Sequence, residues 1–185
     1  MPADKFIPLD LSAHYNYRLI YPDDDIKPDS GLDGAGISEA SYFTLSKPVL
    51  LDNIPYIFKS KAGLDTVNCN AQEVTLPDAP FTKIHLLGFM FWGANHDFMQ
   101  IKYRNGQTIS AEIYFKDWAN DYVFRDAKAD KLKVKAVKRL HSCGNIDVPL
   151  YLYHCEYENQ TGGKPNSLIL PDNMYMYIFA ATVER

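Results

Sequence analysis

The chain has 185 residues, a length typical of one domain, and we expect a single domain over residues 1–185 with its core at about 6–183. Hydrophobic residues make up 46% and charged residues 23%, which excludes a disordered chain and a coiled coil. The net charge of -4 argues against a nucleic-acid partner, because such domains usually carry a basic surplus. No run of about 18 apolar residues occurs, so the sequence predicts no membrane segment.

The N-terminus and the cysteines leave the compartment open. Met1–Lys5 lacks the apolar stretch of a signal peptide, so the protein either stays inside the cell or is excised from a larger secreted chain. The three cysteines, Cys69, Cys143 and Cys155, cannot all pair within the chain and lack metal-finger spacing. We therefore expect buried free thiols.

Alternation of apolar and polar residues is the dominant pattern, and it is clearest around Asn105-Gly106. Met99–Tyr103 and Ile109–Phe115 both place apolar residues at odd positions. Asn and Gly tolerate the positive φ of a type I′ turn, so these segments predict a two-stranded hairpin with that turn.

Further stretches of this kind recur every eight to twelve residues or so, separated by Pro, Gly, Asn and Asp. They predict an all-β fold, an antiparallel, jelly-roll-like β-sandwich with little helix. Ile84–Trp92 and Met174–Ala181 are almost continuously apolar, which is typical of strands buried on both faces. Trp118–Lys131 is the best helical segment and supports only a turn or two. The other predicted strands are Tyr15–Ile20, Ser41–Leu45, Val49–Leu51, Tyr56–Phe58, Gln72–Leu76, Leu132–Leu140, Leu150–Tyr157 and Leu168–Leu170.

An acidic, glycine-bearing segment runs from Tyr21 to Gly36, and we expect it to be neither strand nor helix. Its closely spaced aspartates could supply the oxygen ligands that Ca²⁺ requires, with Asp29 and Asp33 as the candidates. A solvated loop with Asx turns explains the same residues. Both interpretations stay open.

A basic segment follows in the second half of the chain. Lys131, Lys133 and Lys135 alternate with apolar residues and so share one face of a predicted strand. That face would suit an anionic ligand such as an acidic polysaccharide. Alternatively, the lysines protect an edge strand from aggregation.

Aromatic residues reach 14% of the chain and give the strongest indication of a ligand. Trp92, Asn95, His96 and Asp97 combine an aromatic ring with short polar side chains in a predicted loop, a mixture that suits a sugar. Trp92 could instead close the end of the sandwich.

Two tyrosines extend this set of candidates. Tyr151 and Tyr153 share one face of their strand and lie either in a binding trough or in the core. No nucleophile elbow, zinc-protease motif or phosphate-binding loop occurs in the sequence, so no catalytic residue is predicted.

The order of several short motifs resembles β-sandwich (jelly-roll) accessory modules of bacterial and fungal glycoside hydrolases. The matching segments are Pro8–Ser12 with Asn16, Asp33–Gly36, Ile84–Gly88, Ile101–Gly106, Asp117-Trp118, Ser167–Asn173 and Ile178–Ala180. The resemblance implies a β-sandwich that binds a polysaccharide or glycan without catalysis, as an accessory to a catalytic domain. The sequence predicts no cofactor other than the Ca²⁺ that the acidic segment could bind. A protein-interaction or assembly module is the alternative, and a polysaccharide-degrading or sugar-modifying enzyme is a third hypothesis.

Overall fold

The computed structural model describes residues 5–21, 32, 35–38, 47–93, 95–117, 131–140 and 144–185. No helix occurs in these ranges, and therefore no helix there is long and apolar enough to cross a membrane. Their strands are β1 (Phe6–Pro8), β2 (Ile20–Tyr21), β3 (Ala35–Ser38), β4 (Pro48–Leu51), β5 (Ile54–Ile57), β6 (Val67–Asn68), β7 (Glu73–Thr75), β8 (Lys83–Met90), β9 (Asn95–Tyr103), β10 (Thr108–Phe115), β11 (Lys131–Leu140), β12 (Gly144–Glu158), β13 (Pro165–Ile169) and β14 (Met176–Glu184).

The predicted hairpin is present as β9 and β10, with Ile101 opposite Ile109. Its turn differs from the prediction, because φ is positive only at Gly106 (85°) and not at Asn105. Gly106 N donates to Tyr103 O, and Tyr103 N donates to Gln107 O, which closes a three-residue loop. A type I turn followed by a left-handed glycine needs one permissive residue instead of two.

Fourteen strands of the described residues form two main sheets and a separate hairpin. The larger sheet has the order β1-β14-β8-β12-β11-β3-β2, with β6 also paired to β14. The smaller sheet has the order β10-β9-β13-β7, and β4 pairs only with β5. All pairs are antiparallel except the two-residue contact of β2 with β3. The antiparallel β-sandwich is therefore confirmed.

The two sheets pack face to face around an aromatic core. The odd-numbered residues Met99, Ile101, Ile113 and Phe115 of β9 and β10 are fully buried, as alternation predicts. Tyr153 on β12 faces them, and its hydroxyl donates to Asp117 O at 3.3 Å. Gly88 on β8 lies against the Phe115 ring and leaves no room for a side chain.

The β4–β5 hairpin covers the outer face of the larger sheet. The Thr182 hydroxyl on β14 donates to Pro55 O, and the Tyr56 ring lies against His154 of β12 at a centroid distance of 6.4 Å. Because the smaller sheet covers the opposite face, the strand β14 is buried on both sides from Met176 to Val183. The prediction of a doubly buried strand is correct there and wrong at Met174, which is 66% exposed.

Several predicted elements differ from the structure or lie outside it. The segment Tyr21–Gly36 was expected to contain no strand. In the structure its first residue, Tyr21, is the last residue of β2, and β3 begins within it at Ala35 because Ala35–Ser38 pairs with β11. That pairing covers only Ala136–Lys138 of β11 and does not reach Lys131, Lys133 or Lys135, so the edge-strand interpretation of these lysines stays open. The predicted strand Ser41–Leu45 and most of the predicted helical segment Trp118–Lys131 lie outside the described residues.

Candidate binding surface

Four strand ends meet at one end of the sandwich. Met90, the last residue of β8, pairs with Met176, the first residue of β14. Met90 also forms a parallel bridge with Asp117, just beyond β10, whose last residue Phe115 pairs with the start of β9. The loops that follow β8 and precede β14 are thereby brought together.

Trp92 occupies the loop after β8 in an unusual backbone conformation. Its φ is 68° and that of Gly93 is 106°, so two consecutive residues lie at positive φ. Gly93 N donates to Asp117 Oδ2 at 2.6 Å, a charge-assisted hydrogen bond that fixes the turn. The Trp92 side chain is nevertheless 73% exposed. The left-handed region costs a non-glycine residue about 1–2 kcal/mol, and little burial of the ring compensates for it.

The loop before β14 presents a second ring beside Trp92. The Trp92 and Tyr175 rings lie 6.4 Å apart at an interplanar angle of 12°, and Tyr175 is 43% exposed. Asn173 organises this loop: its Oδ1 accepts from Tyr175 N at 3.0 Å, and its Nδ2 donates to Asp97 Oδ2 at 2.9 Å. Asp97 thus connects β9 to the loop, while its Oδ1 accepts from Phe98 N.

Aromatic residues also occupy the outer face of β9 and β10 near the same end. His96 pairs with Tyr114 across the strands, and Phe98 pairs with Glu112. Phe98 and Tyr114 are about half exposed. The His96 ring contacts Phe98 edge-on at 6.3 Å, and its Nδ1 lies 3.9 Å from Glu112 Oε1.

We refer to these residues together as the aromatic end surface. It comprises Trp92, His96, Phe98, Tyr114, Met174 and Tyr175. Exposed aromatic and apolar side chains at one end of a folded domain are candidates for a site of interaction.

The structure brings together only some of the residues proposed from the sequence. Trp92 and His96 belong to the aromatic end surface, and Asp97 supports it from within. Asn95 is the first residue of β9, and its side chain lies outside the description. Tyr151 and Tyr153 are only 8% and 3% exposed and lie in the core between the sheets.

Phe98, Tyr114, Met174 and Tyr175 are members of the surface that the sequence analysis missed. The signal for Phe98 and Tyr114 was present, since both occupy even positions on the polar face of the predicted hairpin. The signal for Met174 and Tyr175 was hidden, because they directly precede a buried apolar strand.

The structure gives no side-chain positions for the remaining candidate residues. Lys131, Lys133 and Lys135 lie on β11 opposite Tyr153, Tyr151 and Pro149, and their side chains are outside the description. Asp29 and Asp33, the calcium candidates, lie outside the described residues.

A histidine–carboxylate cluster on the larger sheet is the set of described side chains best arranged to hold a metal ion. His85, His154 and Glu156 place one ligand atom each within 4.8 Å of one another. They lie on the outer face of β8 and β12, on the opposite face of the sheet from Tyr153. No sequence motif indicated this cluster, because the two histidines are 69 positions apart.

Fold and surface together define a β-sandwich domain with an exposed aromatic end. A family model of the AziU2-like beta-sandwich domain matches residues 4–185, and the chain belongs to this family. No curated protein matches the chain.

Proposed function

We propose that this β-sandwich is a non-catalytic binding module and that it binds a partner protein through the aromatic end surface. The conformation of Trp92 carries the proposal. A large ring that is exposed and also held at positive φ lowers the stability of the free domain. Contact with a ligand would bury this ring and offset the cost.

The composition of the surface favours a protein over other ligands. Met174 and Phe98 offer apolar area and no hydrogen bond to a hydroxyl-rich ligand. Trp, Tyr, Phe and Met are the residues enriched in protein interfaces, and Trp and Tyr dominate their binding energy. The two carboxylates beside these loops are already engaged: Asp97 accepts hydrogen bonds from Asn173 and Phe98, and Asp117 accepts one from Gly93.

A pair of photo-crosslinking variants tests this proposal. A benzophenone side chain at Tyr175 is expected to capture a partner in cells of the native host. The same group at Leu50 on the β4–β5 hairpin, 50% exposed, is the matched control. The purified partner should then bind the native domain in calorimetry and bind Trp92→Gly at least about tenfold more weakly, as a loss of about 1.4 kcal/mol implies.

Trp92→Gly separates binding from folding. Glycine accepts the positive φ without strain, so the variant should melt at or slightly above the temperature of the native domain. Equal crosslinking from Tyr175 and Leu50, or unchanged affinity of Trp92→Gly, would rule out the aromatic end surface as the binding site.

Carbohydrate binding is the second candidate, and the near-parallel rings of Trp92 and Tyr175 favour it. Sugars lie on aromatic faces. His96 and Glu112 on the outer face of β9 and β10 are exposed polar side chains that could bond hydroxyls. A glycan and polysaccharide array, with and without Ca²⁺ at low salt, tests it. Binding that Trp92→Gly abolishes would support a sugar ligand of micromolar or weaker affinity, about -8 kcal/mol or less in magnitude.

A further inference from the structure

Four titratable side chains meet on the outer face of the larger sheet, away from the aromatic end surface. His85 comes from β8, His154 and Glu156 from β12, and Glu184 from β14, so three adjacent strands contribute. His85 is only 1% exposed, and Tyr56 from the β4–β5 hairpin lies against His154. Such a cluster requires an explanation, since buried polar groups cost free energy unless they are fully paired.

The donor atoms converge at the spacing of a metal site. His85 Nδ1 lies 3.0 Å from His154 Nε2 and 3.5 Å from Glu156 Oε2. Tetrahedral Zn²⁺ with bonds of about 2.0–2.2 Å separates its ligand atoms by about 3.3–3.6 Å. The contact between His85 and Glu156 lies within this range, the contact between the two imidazoles would lengthen by about 0.3 Å, and the three side chains occupy neighbouring positions on paired strands.

We propose that His85 Nδ1, His154 Nε2 and Glu156 Oε2 bind a divalent transition metal ion of the zinc class. Two imidazoles with one carboxylate form a ligand set that such ions prefer over Ca²⁺ or Mg²⁺, which favour all-oxygen sites. Glu156 is 38% exposed, so the site is open to solvent on its side. Metal can enter there, and water can fill the remaining coordination position.

The surrounding charges form the outer shell that a metal-binding histidine requires. Glu184 Oε2 lies 3.0 Å from His85 Nε2 and accepts its proton, which leaves the lone pair on Nδ1 directed at His154. Lys5 holds the other oxygen of Glu184 at 2.9 Å, and Lys83 holds Glu156 Oε1 at 2.7 Å. Glu156 Oε2 remains available as a single-oxygen ligand.

Metal binding requires only a change of tautomer at His154. With His85 Nε2–H bonded to Glu184, the short contact between the rings is a hydrogen bond from His154 Nε2–H to His85 Nδ1. To bind a metal ion, neutral His154 moves this one proton from Nε2 to Nδ1, so that His154 Nε2 and His85 Nδ1 both present lone pairs.

Metal titrations of the purified full chain test the site. Calorimetry with Zn²⁺ should give one ion per chain, and Co²⁺ should give the visible absorption of a tetrahedral nitrogen- and oxygen-ligated ion without a thiolate charge-transfer band. Glu184→Gln should weaken Zn²⁺ binding by about 10–100-fold, since it removes an outer-shell partner. His154→Gln and Glu156→Gln remove ligands and should weaken it further.

His96→Gln is the matched control, because His96 also stands beside a glutamate but is exposed. It should leave Zn²⁺ affinity unchanged. A rise in melting temperature with Zn²⁺ should appear in the native chain and in His96→Gln but not in His154→Gln, and circular dichroism confirms that each variant is folded. Unchanged affinity in folded His154→Gln, or no binding to the native chain at millimolar Zn²⁺, would overturn the proposal.

Discussion

Asp65 is a buried carboxylate that fixes the N-terminal segment to the body of the fold. Its Oδ1 accepts from Leu19 N at 3.0 Å and from the Thr66 hydroxyl at 2.6 Å, and its Oδ2 accepts from Ile20 N at 3.0 Å. Burial nevertheless outweighs these hydrogen bonds and raises the pKa of Asp65 from 3.8 to about 6. The protonated form is therefore favoured by folding.

The raised pKa predicts a pH-dependent contribution to stability. Between pH 3.8 and about 6 the folded chain binds more protons at Asp65 than the unfolded chain. The contribution of this group is fully present below pH 3.8 and is lost as the pH rises through about 6, a change of at most about 3 kcal/mol. A carboxyl-carbon NMR titration should give a midpoint near 6.

Asp65→Asn provides the comparison for this measurement. In this variant the side-chain amide points an N–H donor at a backbone N–H. We therefore expect the free energy of unfolding to fall by about 1–3 kcal/mol. The native chain should exceed the variant in unfolding free energy by a larger margin at pH 4.5 than at pH 7. A titration midpoint below 4 would contradict the prediction.

Gly88 shows how a single position couples three strands. A Cβ at this residue of β8 would collide with the backbone carbonyl of Tyr177 on β14 and lie 2.9 Å from Phe115 Cε2 on β10. A backbone carbonyl cannot rotate away as a side chain can. We therefore expect Gly88→Ala to lower the free energy of unfolding by about 3 kcal/mol or more, at the upper end for overpacked cores.

Urea unfolding measures this effect, with Thr108→Ala on the exposed side of β10 as the control. The control should stay within about 0.5 kcal/mol of the native chain. A loss for Gly88→Ala as small as that of the control would show that β8 and β14 can separate without cost.

At the level of strands, the sequence predicts interiors well and ends poorly. Period-two alternation identified β9 and β10 and the residues that face the core, because one face of each strand is exposed to solvent. The doubly buried strands β8 and β14 carry no alternation. In the sequence, the buried residues of these strands therefore cannot be distinguished from Trp92 and Met174, which are apolar but exposed. The short strand β3 was missed because Gly36 weakens the strand signal and pairing with β11 and β2 stabilises it.

The order of strands in the larger sheet lies beyond what the sequence can predict. His85 and His154 meet because β8 pairs with β12 in one register, which places His85 opposite Glu156. A shift of one of these strands by one residue would place the two histidines on opposite faces of the sheet. The aromatic end surface likewise depends on the pairing of Met90 with Met176. Both candidate sites are thus properties of tertiary pairing.

Packing of the complete sandwich lowers the reactivity of the cysteine thiols. Cys69 is 1% exposed between β6 and the loop before β14, where its N donates to Met176 O at 2.9 Å. Burial raises the pKa of Cys69 and of the half-buried Cys155, so both thiols are poor nucleophiles in the folded chain. Neither forms a disulfide, as the sequence predicted, while Cys143 lies outside the described residues.

Cys69 should therefore be alkylated only when the sandwich opens as a unit. Iodoacetamide labelling followed by peptide mass spectrometry should show slow labelling in native buffer. The free energy of opening at Cys69 should fall with urea at the slope of global unfolding, because freeing the thiol separates β6 and β14. A model thiol in the same buffers corrects for the effect of urea on the reaction itself. A slope much smaller than the global one would instead show that the end of the sandwich near Trp92 and Tyr175 opens locally while the sheets stay packed.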